Sequence, residues 1–296
     1  MAGSLAYSRG VLYVGTEERT AHVRSFDLDG RELDAGFSFR GKEGGAAAVT
    51  GLAVDEDHRL WVADGIGGEL RAFTLFGDQV AGVETAHPGQ HDKGGVLGTL
   101  SDVATRGSDG IQEILVASGG RRRHAVQILP LGGGPPRSLR CGGQVDSRFR
   151  DVSGVHWLDQ WLWVCERGMG RVQVFREEDH HFSFSLPSSP GAPFRPTAIA
   201  ALEDRRLVLA QGGPRSAVTV LDAAGKLLHT LAPPGSEEGC VREPSDLIVV
   251  PGEDDRHTRV VVIDGDGTRV QVFNLAGNCY GTFPGFAGSE TTWDPT

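Results

Sequence analysis

Short runs of alternating apolar and polar residues recur along the whole chain. Residues 171–175 have the sequence RVQVF, and residues 269–273 repeat the same five letters. Period-two alternation with β-branched and aromatic residues is typical of strands with two unlike faces. Dipeptides such as Asp29-Gly30 and Ala276-Gly277 separate the runs and favour tight hairpins. No run of about ten or more residues shows convincing helical periodicity, so we predict an all-β protein.

The runs belong to one unit that occurs six times. Each unit has an apolar strand, a turn, a second strand similar to LWVAD, a gap, and a third strand similar to RVQVF followed by another turn. Successive units begin 44 to 52 residues apart, and four strands in about 40 to 50 residues is the size of a propeller blade. We therefore predict a single domain, residues 1–296, that is an all-β, six-bladed β-propeller of four-stranded antiparallel blades. The predicted blades are approximately residues 3–40, 51–84, 100–140, 152–186, 197–232 and 244–284.

The repeated unit resembles the NHL repeat. The match is carried by GLAVD at residues 51–55, LWVAD at residues 60–64 and RVQVF at residues 269–273. The resemblance covers about residues 3–284 and implies a six-bladed propeller. It does not select one activity, because propellers of this kind include scaffolds, RNA-binding proteins, lyases and hydrolases.

Charge and composition narrow the choice of partners. The chain has 29 basic and 39 acidic side chains, a net charge of −10, which disfavours nucleic acid and anionic membrane as partners. No apolar stretch approaches the roughly 18 residues needed to cross a bilayer. The first residues, MAGSLAYSRG, lack the layout of a signal peptide. We therefore expect a cytoplasmic protein that binds no membrane.

The loops after the second strand of each blade should meet at one face, around the mouth of the central channel. Function commonly collects on such loops. Three of the six equivalent positions there are acidic: Asp64, Glu166 and Asp264. Two interpretations stay open. The carboxylates either bind a ligand, or they accept turn amides and pair with arginines such as Arg171 and Arg269.

Three more carboxylates precede or begin inner strands: Asp102, Asp151 and Asp246. An unpaired carboxylate near the propeller axis has to be solvated or liganded. Grouped carboxylates share protons, pair with arginine or bind a hard cation such as calcium or magnesium. We predict all three as binding residues and name Asp102 and Asp246 as candidate metal ligands.

Histidines supply further candidates. His87 and His91 lie in the long connection 85–99 and are candidate metal ligands, with a solvated loop as the alternative. His156 lies in a predicted inner strand, where it is either a satisfied core histidine or a catalytic proton carrier that faces the channel.

One basic cluster stands out on this acidic chain. Arg121, Arg122 and Arg123 follow the second strand of the third unit. Such a cluster is suited to bind a carboxylate, a phosphate or an acidic partner, although a solvated charged loop is the alternative.

Known catalytic patterns are missing from the sequence. It has no GxSxG, no HExxH and no phosphate-binding loop. The glutamate that opens the first inner strand in propellers of the gluconolactonase type is replaced by GSL at residues 3–5. The PHSL-like motif of peptide-amidating lyases is replaced by PSDL at residues 244–247. We predict a module that binds a protein or a small ligand on its loop-rich face. The alternative is a metal-dependent hydrolase or lyase with calcium, magnesium or zinc at the channel mouth.

Overall fold

The computed structural model describes residues 2–18, 21–41, 44–80, 99–108, 111–119, 125–139, 149–265 and 267–283. Within these ranges the chain forms 23 strands and a single-turn 3₁₀ helix, Gly213–Arg215. The strands build six antiparallel sheets arranged as blades, which confirms the predicted six-bladed β-propeller. No helix in this part of the chain is long and apolar enough to cross a membrane.

The first three blades use the first eleven strands. Blade two has three strands among the described residues, and β2 also pairs with β5, which joins the first two sheets. The strands are β1 (Ala2–Ser8), β2 (Val11–Glu18), β3 (Ala21–Phe26), β4 (Glu32–Phe39), β5 (Ala47–Val54), β6 (Arg59–Asp64), β7 (Glu69–Thr74), β8 (Thr99–Ser108), β9 (Ile111–Gly119), β10 (Ala125–Pro130) and β11 (Arg137–Ser138).

The last three blades each have four strands in sequential order. They are β12 (Val152–Leu158), β13 (Trp161–Glu166), β14 (Arg171–Arg176), β15 (Asp179–Phe184), β16 (Pro196–Ala201), β17 (Leu207–Gln211), β18 (Ala217–Leu221), β19 (Leu227–Ala232), β20 (Asp246–Val250), β21 (Arg259–Asp264), β22 (Arg269–Asn274) and β23 (Cys279–Thr282).

The hydrophobic core lies between neighbouring blades rather than in one central cluster. The middle strands β13 and β14 are buried along most of their length, whereas the outermost strand β15 is mostly exposed. Burial on both faces explains the near-continuous apolar runs of the middle strands. The seam between blades one and six is packed in the same way, with Leu12 and Phe26 against Val261 and Val270.

Five of the six inner strands, all except β20, have a β-bulge near their first residues. The pairing register shifts between Val49 and Gly51, between Leu100 and Asp102, and at the equivalent points of β1, β12 and β16. A bulge inserts one extra residue and redirects the side chains beside it. In four of these strands the extra residue carries a hydroxyl group: Thr50, Ser101, Ser153 and Thr197.

Candidate ligand site in the central channel

A ring of hydrogen bonds links the six inner strands. In each blade one hydroxyl or carboxylate near the bulge bonds to the backbone of the next blade, and the last bond returns from blade six to blade one. The six bonds are Leu52 N to Ser4 Oγ (2.9 Å), Thr50 Oγ1 to Leu100 O (2.9 Å), Val155 N to Asp102 Oδ2 (2.8 Å), Ser153 Oγ to Pro196 O (2.7 Å), Thr197 Oγ1 to Pro244 O (2.7 Å) and Leu5 N to Asp246 Oδ2 (2.8 Å).

Two members of this ring are carboxylates, Asp102 and Asp246. Asp102 also accepts a bond from Val103 N at 2.8 Å. Asp246 accepts bonds from Ser4 Oγ at 3.0 Å and from Leu247 N at 2.8 Å. No arginine, lysine or histidine of the described residues forms an ion pair with either one.

The deep location of these carboxylates changes their acidity. Desolvation raises the pKa of Asp102 well above its usual value, and repulsion from Asp246 raises it further. Desolvation raises the pKa of Asp246 to about 6, against the lowering effect of its bonds from Leu5, Ser4 and Leu247. Burial therefore favours the protonated form of both groups, and ionisation of one makes ionisation of the other less favourable.

A cavity of about 420 Å³ opens above the pair at the channel mouth. Its walls are the entries to the inner strands, and its lining is rich in hydroxyl and carboxyl groups, including Ser101, Asp151, Glu243 and Ser245. The Oγ of Ser101 is buried without a hydrogen-bond partner among the described residues. Sites of this size bind small molecules, with a few convergent polar groups setting the orientation.

Asp151 and Arg167 form an ion pair at the rim of the mouth cavity. Arg167 Nε lies 2.7 Å from Asp151 Oδ2, and its Nη2 lies 3.0 Å from Oδ1. The φ angle of Asp151 is 53°, a left-handed conformation that aspartate tolerates better than most residues. Arg167 N also bonds to Asp151 O at 2.9 Å, so backbone and side chain fix the pair together.

A second cavity of about 180 Å³ occupies the other half of the channel. Asp102 and Asp246 line both cavities and thus lie at the boundary between them. His156 lines the second cavity, and its Nε2 is buried without a hydrogen-bond partner among the described residues. Desolvation lowers the pKa of His156 to about 4, so the imidazole is neutral at pH 7.

The acidic residues after the second strands face protein rather than either cavity. Glu166 accepts bonds from Arg150 N at 2.7 Å and from Arg171 Nε at 2.6 Å. Asp264 accepts bonds from Arg242 N at 2.8 Å and from Arg269 Nε at 2.8 Å. Both side chains are fully buried. Their oxygens are thus occupied by turn amides and arginines.

Asp64 at the equivalent position of blade two has a different set of bonds. Its Oδ1 accepts from Ala48 N, Ile66 N and Gly67 N, each at 3.0 Å, and its Oδ2 has no hydrogen-bond partner among the described residues. The side chain is fully buried and lines neither cavity. It ties the turn after β6 to the start of β5.

The donor set around the channel does not fit a metal. Within the described ranges, no three His, Cys, Asp or Glu side chains gather in a way that could hold an ion. Asp102 and Asp246 use oxygens on backbone amides, and Asp151 is bound to Arg167. The predictions for His87, His91, Arg121, Arg122 and Arg123 lie outside the described residues.

Sequence reasoning identified Asp102, Asp246 and Asp151 but missed the ring of hydroxyls, Arg167 and Glu243. One signal was available. The dipeptide Ser-Asp occurs at 101–102 and again at 245–246, at matching points of two inner strands. In both copies the serine and the aspartate line the mouth cavity.

Comparison with known proteins supports the fold. No protein-family model matches the chain, and no curated protein matches it. A Bacteroides caccae protein of unknown function aligns with TM-score 0.61 and 10% identity over 93% of each chain. A gluconolactonase from Xanthomonas campestris aligns with TM-score 0.57 and 17% identity, over 92% of this chain and 85% of that one. A streptogramin B lyase aligns with TM-score 0.54 and 15% identity, over 78% of this chain and 67% of that one. At these identities the likeness concerns architecture alone.

Proposed function

We propose that this NHL-like propeller is a binding module for a small ligand that carries positive charge or several hydroxyl groups, and that the ligand enters the mouth cavity. The observation that carries the proposal is the pair Asp102 and Asp246 beneath that cavity, since neither has a cationic partner in the described part of the chain. A positively charged group beside them would offset the cost of holding both carboxyl groups away from bulk water.

The walls of the mouth cavity support the same class of ligand. Arg167 is neutralised by Asp151, and Glu243 accepts a bond from Gly213 N at 3.0 Å. The remaining polar groups are mainly acceptors and hydroxyls, among them the unpartnered Ser101 Oγ. An anionic ligand would meet an excess of negative charge, whereas a donor-rich ligand would find partners.

Three related compounds test the proposal: the cationic sugar glucosamine, the neutral sugar glucose and the open-chain anion gluconate. We expect glucosamine to bind more tightly than glucose and gluconate not to bind, as measured by isothermal titration calorimetry. The exposed Ser245 lines the cavity, so Ser245→Trp should fill it and abolish glucosamine binding without unfolding the protein. Gluconate binding equal to that of glucosamine, or full binding by Ser245→Trp, would contradict the proposal.

A hydrolase or lyase is the second candidate, and the acidity of the carboxyl pair favours it. The raised pKa values of Asp102 and Asp246 and their mutual repulsion suit one carboxyl group to act as an acid and the other as a base next to one cavity. The fold neighbours include a gluconolactonase and a streptogramin B lyase. The side chains of the described residues do not fit a metal ion, so the carboxyl pair itself would supply the acid and the base.

A lactone assay separates the two candidates. The enzyme hypothesis predicts that glucono-δ-lactone or a streptogramin B is consumed faster than in buffer. It also predicts that Asp246→Asn abolishes the excess rate and that a chelator leaves it unchanged. No excess rate with either compound would leave only the binding function. Loss of the rate with chelator would restore a metal-dependent mechanism.

A further inference from the structure

We infer that the second cavity is a separate binding site for a primary alkylammonium group, with the ammonium at Asp102 and Asp246 and the alkyl chain in the other half of the channel. The inference rests on the same carboxyl pair as the proposed function, but it places the rest of the ligand in the other cavity, which has a different lining.

The carboxylates have the right number of free acceptor positions for an ammonium group. A carboxylate offers about four acceptor sites, and an ammonium has three N–H donors. Asp246 already accepts three hydrogen bonds, and Asp102 accepts two. About three acceptor sites therefore remain across the pair when both groups are ionised. One ammonium would offset part of the negative charge of that pair.

The second cavity offers an alkyl chain apolar contacts along part of its wall. Its lining residues include Val54, Ile199 and Ile248, together with Tyr7 and Trp157. Each of these five except Ile199 is partly exposed, so solvent reaches the cavity. About 180 Å³ is far more than the roughly 10 to 15 Å³ that a single water needs. The mouth cavity, in contrast, is walled by hydroxyl and carboxyl groups.

Nearby basic groups do not oppose a cation in this cavity. His156 is neutral at pH 7, because desolvation lowers its pKa to about 4. Arg106 is stacked 4.3 Å from the ring centre of Trp157 and pairs with Glu113 at 3.3 Å. The buried His156 Nε2 has no described partner, which marks a polar position that the protein itself leaves unsatisfied.

A series of amines tests the inference on the unmodified protein. We expect the affinity for n-alkylammonium ions, measured by calorimetry, to rise by about fivefold in total from methyl to butyl, because only part of the cavity wall is apolar. Butanol should bind at least about tenfold more weakly than butylammonium, because it lacks the charged donors. Butyrate should not bind. A flat chain-length series, or butanol as good as butylammonium, would overturn the inference.

Two matched tryptophan variants locate the site. Ile248→Trp fills the second cavity and should weaken butylammonium binding by about tenfold or more, whereas Ser245→Trp fills only the mouth cavity and should leave it unchanged. The opposite pattern would overturn the inference and assign the amine to the mouth. Circular dichroism checks folding, and Val54→Phe replaces Ile248→Trp if that variant does not fold. Glucosamine should respond to Ser245→Trp alone, so failure of the proposed function and failure of this inference are told apart.

Discussion

At the scale of single residues, the central fact is that two carboxyl groups are held deep in the channel by backbone amides. Asp102 and Asp246 each accept an amide of the next blade at 2.8 Å. Those bonds favour the ionised form, yet desolvation outweighs them and raises both pKa values. The two residues therefore join neighbouring blades and also keep a titratable pair between two cavities.

Stability should fall as pH rises through the folded-state pKa of Asp246. That pKa is raised from 3.8 to about 6, so the folded protein holds a proton that the unfolded chain releases. The stabilisation is present at low pH and is lost by about pH 7. We expect wild type to lose about 1 to 2 kcal/mol relative to Asp246→Asn between about pH 4 and pH 7 in urea denaturation.

The comparison with Asp246→Asn is needed because His156 acts in the opposite direction. Its folded-state pKa is lowered to about 4, so its contribution to stability increases as pH rises from about 4 to 6.5. Subtracting the variant from wild type removes that slope. Parallel pH profiles for the two proteins would show that Asp246 does not titrate in this range.

At the scale of strands and turns, a buried carboxylate fixes the end of the second strand in several blades. Asp264 accepts two amides of the connection into blade six, Arg242 N at 2.8 Å and Glu243 N at 2.9 Å, and pairs with Arg269 on the next strand at 2.6 Å. One side chain thus connects three segments. Glu166 has the same role in blade four.

Removing one of these charges should be costly. Asp264→Asn leaves Arg269 without its charged partner, and we expect a loss of about 3 kcal/mol in the free energy of unfolding. The matched control is Asp255→Asn, because Asp255 pairs with Arg206 at the surface, where 47% of its side chain is exposed. That variant should lose less than about 1 kcal/mol. Equal losses in urea denaturation would contradict the structural role of Asp264.

The strands could be predicted from the sequence, whereas the roles of the site residues could be predicted only in part. RVQVF at 171–175 and 269–273 lies in β14 and β22, as its alternation predicts. The sequence could not decide between turn bonding and ligand binding for Asp64, Glu166 and Asp264, because the residue type is the same in both cases. The choice depends on which amides the turn brings within reach, and that is a property of the folded backbone.

At the scale of the whole molecule, the ring is closed by side chains and packing. Among the described residues the chain passes through the blades in order, and no peptide connection joins blade six to blade one. Asp246 bonds across it to Leu5 N and Ser4 Oγ. Ser4 Oγ in turn accepts Leu52 N of blade two at 2.9 Å. A single hydroxyl therefore links blades six, one and two.

Loss of that hydroxyl should loosen the seam. We expect Ser4→Ala to lower the free energy of unfolding by about 1 to 3 kcal/mol, because it leaves the buried amide of Leu52 without an acceptor. Hydrogen exchange should become faster in β1 and β20. Ser101→Ala is the matched control, since its buried Oγ has no hydrogen-bond partner among the described residues. Similar effects from both variants would show that the ring of bonds does not determine the stability of the seam.

Asp246 lines the channel and also bonds across the seam, so ligand binding in the channel and stability of the propeller ring are thermodynamically linked. A molecule that neutralises the charge of Asp246 would also stabilise the seam between blades one and six. Tight binders should therefore slow local opening in blades that they do not contact. Resistance to proteolysis would then report that a ligand occupies the channel, even before that ligand is identified.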